Sequence, residues 1–100
     1  MPEGRRSSGW RFLTNHAHVL LVVAGDGDLR IREIAERVGI TERAAHSIIR
    51  DLIEEGYVSV IKEGRRNRYE VHPELPFRHP NLRDHDIGEM VRVLSDSKHT

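Results

Sequence analysis

The sequence predicts a mainly α-helical domain carrying one β-hairpin (α+β): three helices, the hairpin, and a last helix reached through a proline-rich strap. Three observations carry that assignment. Apolar residues recur at helical spacing between about residues 14 and 55. Two short β-branched and aromatic runs, YVSVI and RYEV, flank a segment containing Gly64. Pro73, Pro76 and Pro80 then forbid a continuous helix until helical spacing returns at Ile87.

The elements follow in order. Residues 1–9, MPEGRRSSG, have nothing to bury and read as a disordered tail whose Arg5 and Arg6 can brush an anion. From Trp10 the chain turns apolar. Thr14 or Asn15 can cap a helix running to about Ala24, closed by the turn-forming GDGD; a buried strand also fits the continuous apolar run, but its length favours the helix. Ile31, Ile34, Ala35 and Val38 stand at i, i+3, i+4 and i+7 of a short amphipathic helix that Gly39 ends. Thr41 can cap the next, at about 41–55. There Ala45, Ile48, Ile49 and Leu52 form the apolar stripe, and Arg43, His46, Ser47 and Arg50 the opposite face. After the hairpin, the strap at 73–83 is pinned by Leu75, Phe77 and Leu82. A C-terminal helix at 84–96 starts with a capping box of Asp86 and Glu89 and carries Ile87, Met90, Val91 and Leu94 on one side.

Composition narrows the function. One hundred residues hold one core. Sixteen basic and sixteen acidic residues cancel, so any attraction to a polyanion must come from where the charges sit. The absence of cysteine excludes disulfides, thiolate chemistry and cysteine-ligated metals. The longest apolar run, VLLVVA, is far short of the roughly 20 residues that span a bilayer, and no signal-peptide pattern surrounds it, so a soluble cytoplasmic protein is expected. No glycine-rich phosphate cradle, activated serine or convergent carboxylate pair points to an enzyme. No cofactor is expected. For metal, His85 with Asp84 or Asp86 and Glu89 is the best cluster. Its spacing does not match that of metal-sensing helices, and His16 and His18 diverge on their helix, so no metal site is expected either.

Residues 31–50 resemble the helix-turn-helix of bacterial transcription regulators. The likeness lies in Ala35 where helices must pack closely, Gly39 four residues on, and Ile34, Val38, Ala45 and Ile48 fixing the angle between them. With the hairpin added, residues 12–71 resemble the winged-helix form of the MarR and ArsR families, and the continuation RRNRYEV followed by HP resembles small single-domain regulators of actinobacterial type. The resemblance implies a winged-helix DNA-binding domain over 10–72, with the helix at 41–55 in the major groove of double-stranded DNA and the wing at 62–68 on the backbone or minor groove. On that reading Thr41, Glu42, Arg43, His46, Ser47 and Arg50 belong to the recognition helix. Glu42 departs from the pattern, because a carboxylate at the helix tip repels phosphate unless it accepts from cytosine. Lys62, Arg65, Arg66, Asn67 and Arg68 belong to the wing, whose four cations against Glu63 leave a net charge of +3.

The alternative is a winged-helix module that binds another protein. Arginine on both the recognition helix and the wing favours the DNA reading, because an interaction module has no need of both. A homodimer is also expected, formed by Ile87, Met90, Val91 and Leu94 meeting their own copies with help from Leu20 or Val23; the alternative is that the strap folds back and this helix caps its own core. The operator, the sign of regulation and any small-molecule effector are not written in the sequence.

Overall fold

Each helix begins where its free N–H groups find an acceptor. The computed structural model describes residues 9–95 and places four α-helices, α1 Asn15–Gly25, α2 Ile31–Val38, α3 Glu42–Glu54 and α4 Ile87–Leu94, around an antiparallel hairpin of β1 Val58–Glu63 and β2 Arg66–Val71. The Thr14 and Thr41 hydroxyls accept from the amides of Ala17 and Ala44, at 3.2 and 3.0 Å. Glu33 reaches back to the Arg30 amide at 2.8 Å, and Asp86 and Glu89 form the expected reciprocal box, at 3.1 and 3.4 Å. Arg5, Arg6 and the rest of the tail to residue 8 lie outside the described residues, as does Asp96. Among the described residues no helix is long and apolar enough to cross a membrane.

The continuous apolar run of α1 is helical. Val19, Leu20 and Val23 sink into a core shared with Ile34, Ile48, Ile49, Leu52, Val58 and Tyr69. Ile34 and Val19 are fully buried, and Ile34 is the largest side chain so enclosed. The corner between α2 and α3 is tight: the amides of Gly39 and Ile40 both donate to the Ala35 carbonyl, at 2.8 and 3.0 Å. This requires the left-handed backbone that Gly39 adopts at φ +87°.

The hairpin pairs Val58 with Val71 through to Glu63 with Arg66, so only Gly64 and Arg65 form the turn. The strands therefore extend further toward the tip than YVSVI and RYEV suggest. Lys62, Arg66, Asn67 and Arg68 stand on strand arms and not in a loop. The α1–α2 loop runs along the free edge of β2, where the Tyr69 amide donates to the Gly27 carbonyl at 2.9 Å. A methyl group at Gly27 would overlap the Tyr69 carbonyl oxygen, so this approach needs glycine.

The strap folds back on the core. The His72 amide donates to the Tyr57 carbonyl at 2.8 Å, and the amides of Ile87 and Gly88 donate to the carbonyls of Leu75 and Pro73, at 2.8 and 2.9 Å. Phe77 packs against the core, whereas Leu82, expected to help pin the strap, ends a 3₁₀ turn at Pro80–Leu82 and stays exposed. These bonds also correct the expected dimer surface. Ile87, Leu20 and Val23 are buried in the chain's own core, and Met90 and Val91 pack against it. Of the six residues assigned to the dimer contact, Leu94 alone remains exposed. The strap delivers the start of α4 onto α1, and the stripe is spent covering its own domain.

Ile34→Ala, which empties the centre of this core, should lower unfolding free energy by about 2–5 kcal/mol in a denaturant titration, while Leu82→Ala should stay within about 0.5 kcal/mol of the parent. At the α4 cap, His85 Nδ1 lies 2.7 Å from Glu89 Oε1; this hydrogen bond, aided by the Glu89 charge, raises the His85 pKa, and the same bond lowers that of Glu89. The raised histidine adds stability at low pH that is lost as pH rises through its folded value. The lowered carboxylate adds stability at high pH that is lost as pH falls through its own. NMR titration should therefore find His85 above and Glu89 below their ordinary ranges, with the contact strongest between the two midpoints.

Candidate nucleic-acid interface

Burial sorts α3 into two faces. Ala45, Ile48, Ile49 and Leu52 point into the core, and Glu42, Arg43, His46, Ser47 and Arg50 are all exposed, with the Thr41 cap at the helix start. The alternation follows from 3.6 residues per turn, and the short side chain of Ala45 lets the helix sit close to α2. Arg43, His46 or Ser47, and Arg50 fall on successive turns of one outward stripe, which thus carries guanidinium, imidazole and hydroxyl groups in a row. Glu42 in the first turn sits where the helix dipole favours a carboxylate.

The rear of α3 is tied down by contacts that no local pattern announces. His16 Nε2 lies 2.8 Å from Asp51 Oδ2, joining α1 to α3 across 35 positions of sequence. Arg78 of the strap pairs with Glu55 at 2.7 Å, and the Tyr57 hydroxyl donates to the Pro76 carbonyl. Such exposed pairs each contribute about 0–1 kcal/mol, enough to orient but not to hold the helix.

The cations of the hairpin are not equivalent. Arg66 Nη2 donates to the Asp28 carbonyl in the α1–α2 loop at 2.6 Å. Arg68 lies between two carboxylates, its Nε 3.3 Å from Glu63 Oε2 and its Nη1 3.6 Å from Glu70 Oε2. Lys62 and Arg65 make no ion pair among the described residues, and Asn67 sits opposite Lys62. Asp28 and Gly27, read in the sequence only as turn formers, are thus the anchor of the wing. The histidine cluster near α4 gives one pair, His85 with Glu89; among the described residues no three metal-ligating side chains converge.

Residues 14–59, from the cap of α1 into β1, match the family model of winged helix-turn-helix DNA-binding domains. The fold is a winged helix-turn-helix. A solved MarR family protein of Mycobacterium tuberculosis, Rv2887 in complex with salicylic acid, is 23% identical, with 60% of this chain and 47% of that one aligned at a TM-score of 0.50. The zinc-dependent MarR family transcriptional regulator AdcR in its Zn(II)-bound state is 25% identical over 69% of this chain and 49% of its own, at 0.48. IscR of T. potens is 23% identical over 92% of this chain and 66% of its own, at 0.49. The chain thus spans about half the length of the first two. At this identity the likeness to Rv2887 is one of fold. No curated protein sequence matches the chain.

Thr41→Ala should cost about 1 kcal/mol in chemical denaturation by stripping the acceptor from the Ala44 amide at the start of α3. Asp51→Asn, at an exposed pair, should cost less than that.

Proposed function

We propose that the protein is a cytoplasmic, sequence-specific regulator of transcription that binds double-stranded DNA through α3 in the major groove and the wing at 62–68 along the backbone or minor groove. The observation that carries this reading is the exposed stripe of Arg43, His46, Ser47 and Arg50, on the helix that follows the corner of a winged helix-turn-helix whose family model is one of DNA binding. Arginine reads guanine edges, and serine and histidine read mixed edges. Thr41 and Glu42 stand at the end of α3 that such domains present to the groove, where Glu42 is suited to accept from cytosine N4. The chain as a whole is neutral, so binding depends on this local arrangement and falls steeply with salt.

The regulator acts as a homodimer, with the contact moved from the buried stripe to the outer side of α1. Leu21 and Val22 of α1 are half-buried and border a shallow groove with Leu13 and Leu94, next to Val93, which is 79% exposed. The groove pairs these apolar side chains with His18, Asp26 and Arg37, a mixture suited to an apolar contact with a polar rim. A twofold partner would cover it and bring two recognition helices to half-sites about one helical turn apart.

Selection of bound fragments from a random DNA pool tests the reading; enrichment of a palindromic motif is expected, and a pool that stays random would refute it. Arg43→Ala or Arg50→Ala should change the preferred bases, with about 1–3 kcal/mol of discrimination lost at the pair each reads. Leu21→Glu with Leu94→Glu should leave a folded monomer in sedimentation equilibrium. A parent that is already monomeric at tens of micromolar would exclude the dimer.

A further inference from the structure

We infer that the wing's cations divide into two kinds, with Arg66 holding the wing in position and Arg68 engaged by carboxylates of the hairpin itself, and with Lys62 and Arg65 meeting phosphate. The inference deepens the DNA-binding reading and rests on it. In an antiparallel hairpin, residues directly opposite share a face and neighbours along a strand alternate. The register of Lys62 with Asn67 and Glu63 with Arg66 therefore puts Glu63, Arg66, Arg68 and Glu70 on one face of the ribbon and Lys62 with Asn67 on the other, with Arg65 at the turn.

The first face is satisfied from within the chain. Arg66 donates to the Asp28 carbonyl at 2.6 Å, one residue beyond the carbonyl of Gly27 that accepts from the Tyr69 amide at 2.9 Å. The two bonds clamp the α1–α2 loop to β2 at two points along the strand. Val58 and Tyr69 seat the inner end of the ribbon in the core, and the second bond, nearer the tip, fixes the angle of its outer end. Moving Arg66 onto a phosphate would give up the clamp. A phosphate approaching Arg68 meets Glu63 and Glu70 beside it, so the guanidinium presents no net positive charge to a polyanion. Lys62 and Arg65 have no such neighbours bound to them among the described residues, and both are exposed. The net +3 of the segment thus overstates what DNA would feel: Arg66 is a positioning residue, and Arg68 is neutralised within the hairpin.

The experiment measures affinity against salt for the full chain and for Lys62→Ala, Arg65→Ala, Arg66→Ala and Arg68→Ala on one duplex chosen by selection, together with exchange of the Tyr69 amide by NMR. Each lost phosphate contact flattens the log–log salt slope by about 0.9. Lys62→Ala and Arg65→Ala should each do so with Tyr69 protection unchanged. Arg66→Ala and Arg68→Ala should weaken binding at every salt concentration with the slope kept, and Arg66→Ala should also lower Tyr69 protection, with the thermal midpoint held. A slope flattened by about 0.9 in Arg66→Ala or Arg68→Ala would overturn the division, as would parent-like Tyr69 protection in Arg66→Ala. If the parent binds no duplex, the DNA reading fails by itself. Amide exchange then still decides the clamp: lost Tyr69 protection in Arg66→Ala supports it and retained protection refutes it.

Discussion

The Ala35 carbonyl accepts from both Gly39 and Ile40, and this doubled bond turns the chain from α2 into α3 within three residues. A turn so short leaves no slack: with Gly39 left-handed and Ala35 buried against the facing helix, the direction of α3 follows. The apolar side of α3 must then meet Ile34, and its polar side must face out. The core builds on that meeting. α1 lays Val19, Leu20 and Val23 over it, β1 adds Val58, and the strap brings Ile87 to close the remaining cleft. An outward stripe of arginines is the by-product of a corner made for packing.

Electrostatics in this chain work by location. Sixteen charges of each sign produce no long-range field from the total. What distinguishes one surface from another is whether its charges are already engaged. Behind α3, carboxylates are matched with His16 and Arg78; on one side of the hairpin, arginines are matched with carboxylates and a carbonyl. The outward side of α3 carries Glu42 in its first turn and Glu54 in its last, with Arg43, His46, Ser47 and Arg50 between them.

The sequence made the helices legible because their signals are local. Thr14, Thr41 and Asp86 cap within three residues of what they cap, and the spacing of Ile34, Val38, Ala45 and Ile48 declares which sides are apolar. Periodicity does not say what an apolar side will meet. Ile87, Met90 and Val91 have the pattern expected of a dimer contact and equally of a helix that covers its own core; hydrogen bonds to strap carbonyls decide between these, and no residue type signals a carbonyl. The same applies at the candidate site. The outward residues of α3 could be read from spacing, whereas the His16–Asp51 pair and the bond from Arg66 to Asp28 join positions 35 and 38 apart. The hairpin was legible as a hairpin, but the division of its cations by face depends on a register that only the paired strands define.

The close passage of Gly27 against Tyr69 has a consequence for how such a chain can change over generations. A residue inserted at the tip beside Gly64 lengthens a solvent-exposed turn and disturbs little behind it. A residue inserted between Asp26 and Leu29 shifts which carbonyl faces the Tyr69 amide and pushes a side chain into a space that has none to give. Two loops of similar appearance are thus under opposite pressures. The tip turn is free to change in length, and the acidic, glycine-bearing loop beside β2 is held to its length by a strand more than forty positions away.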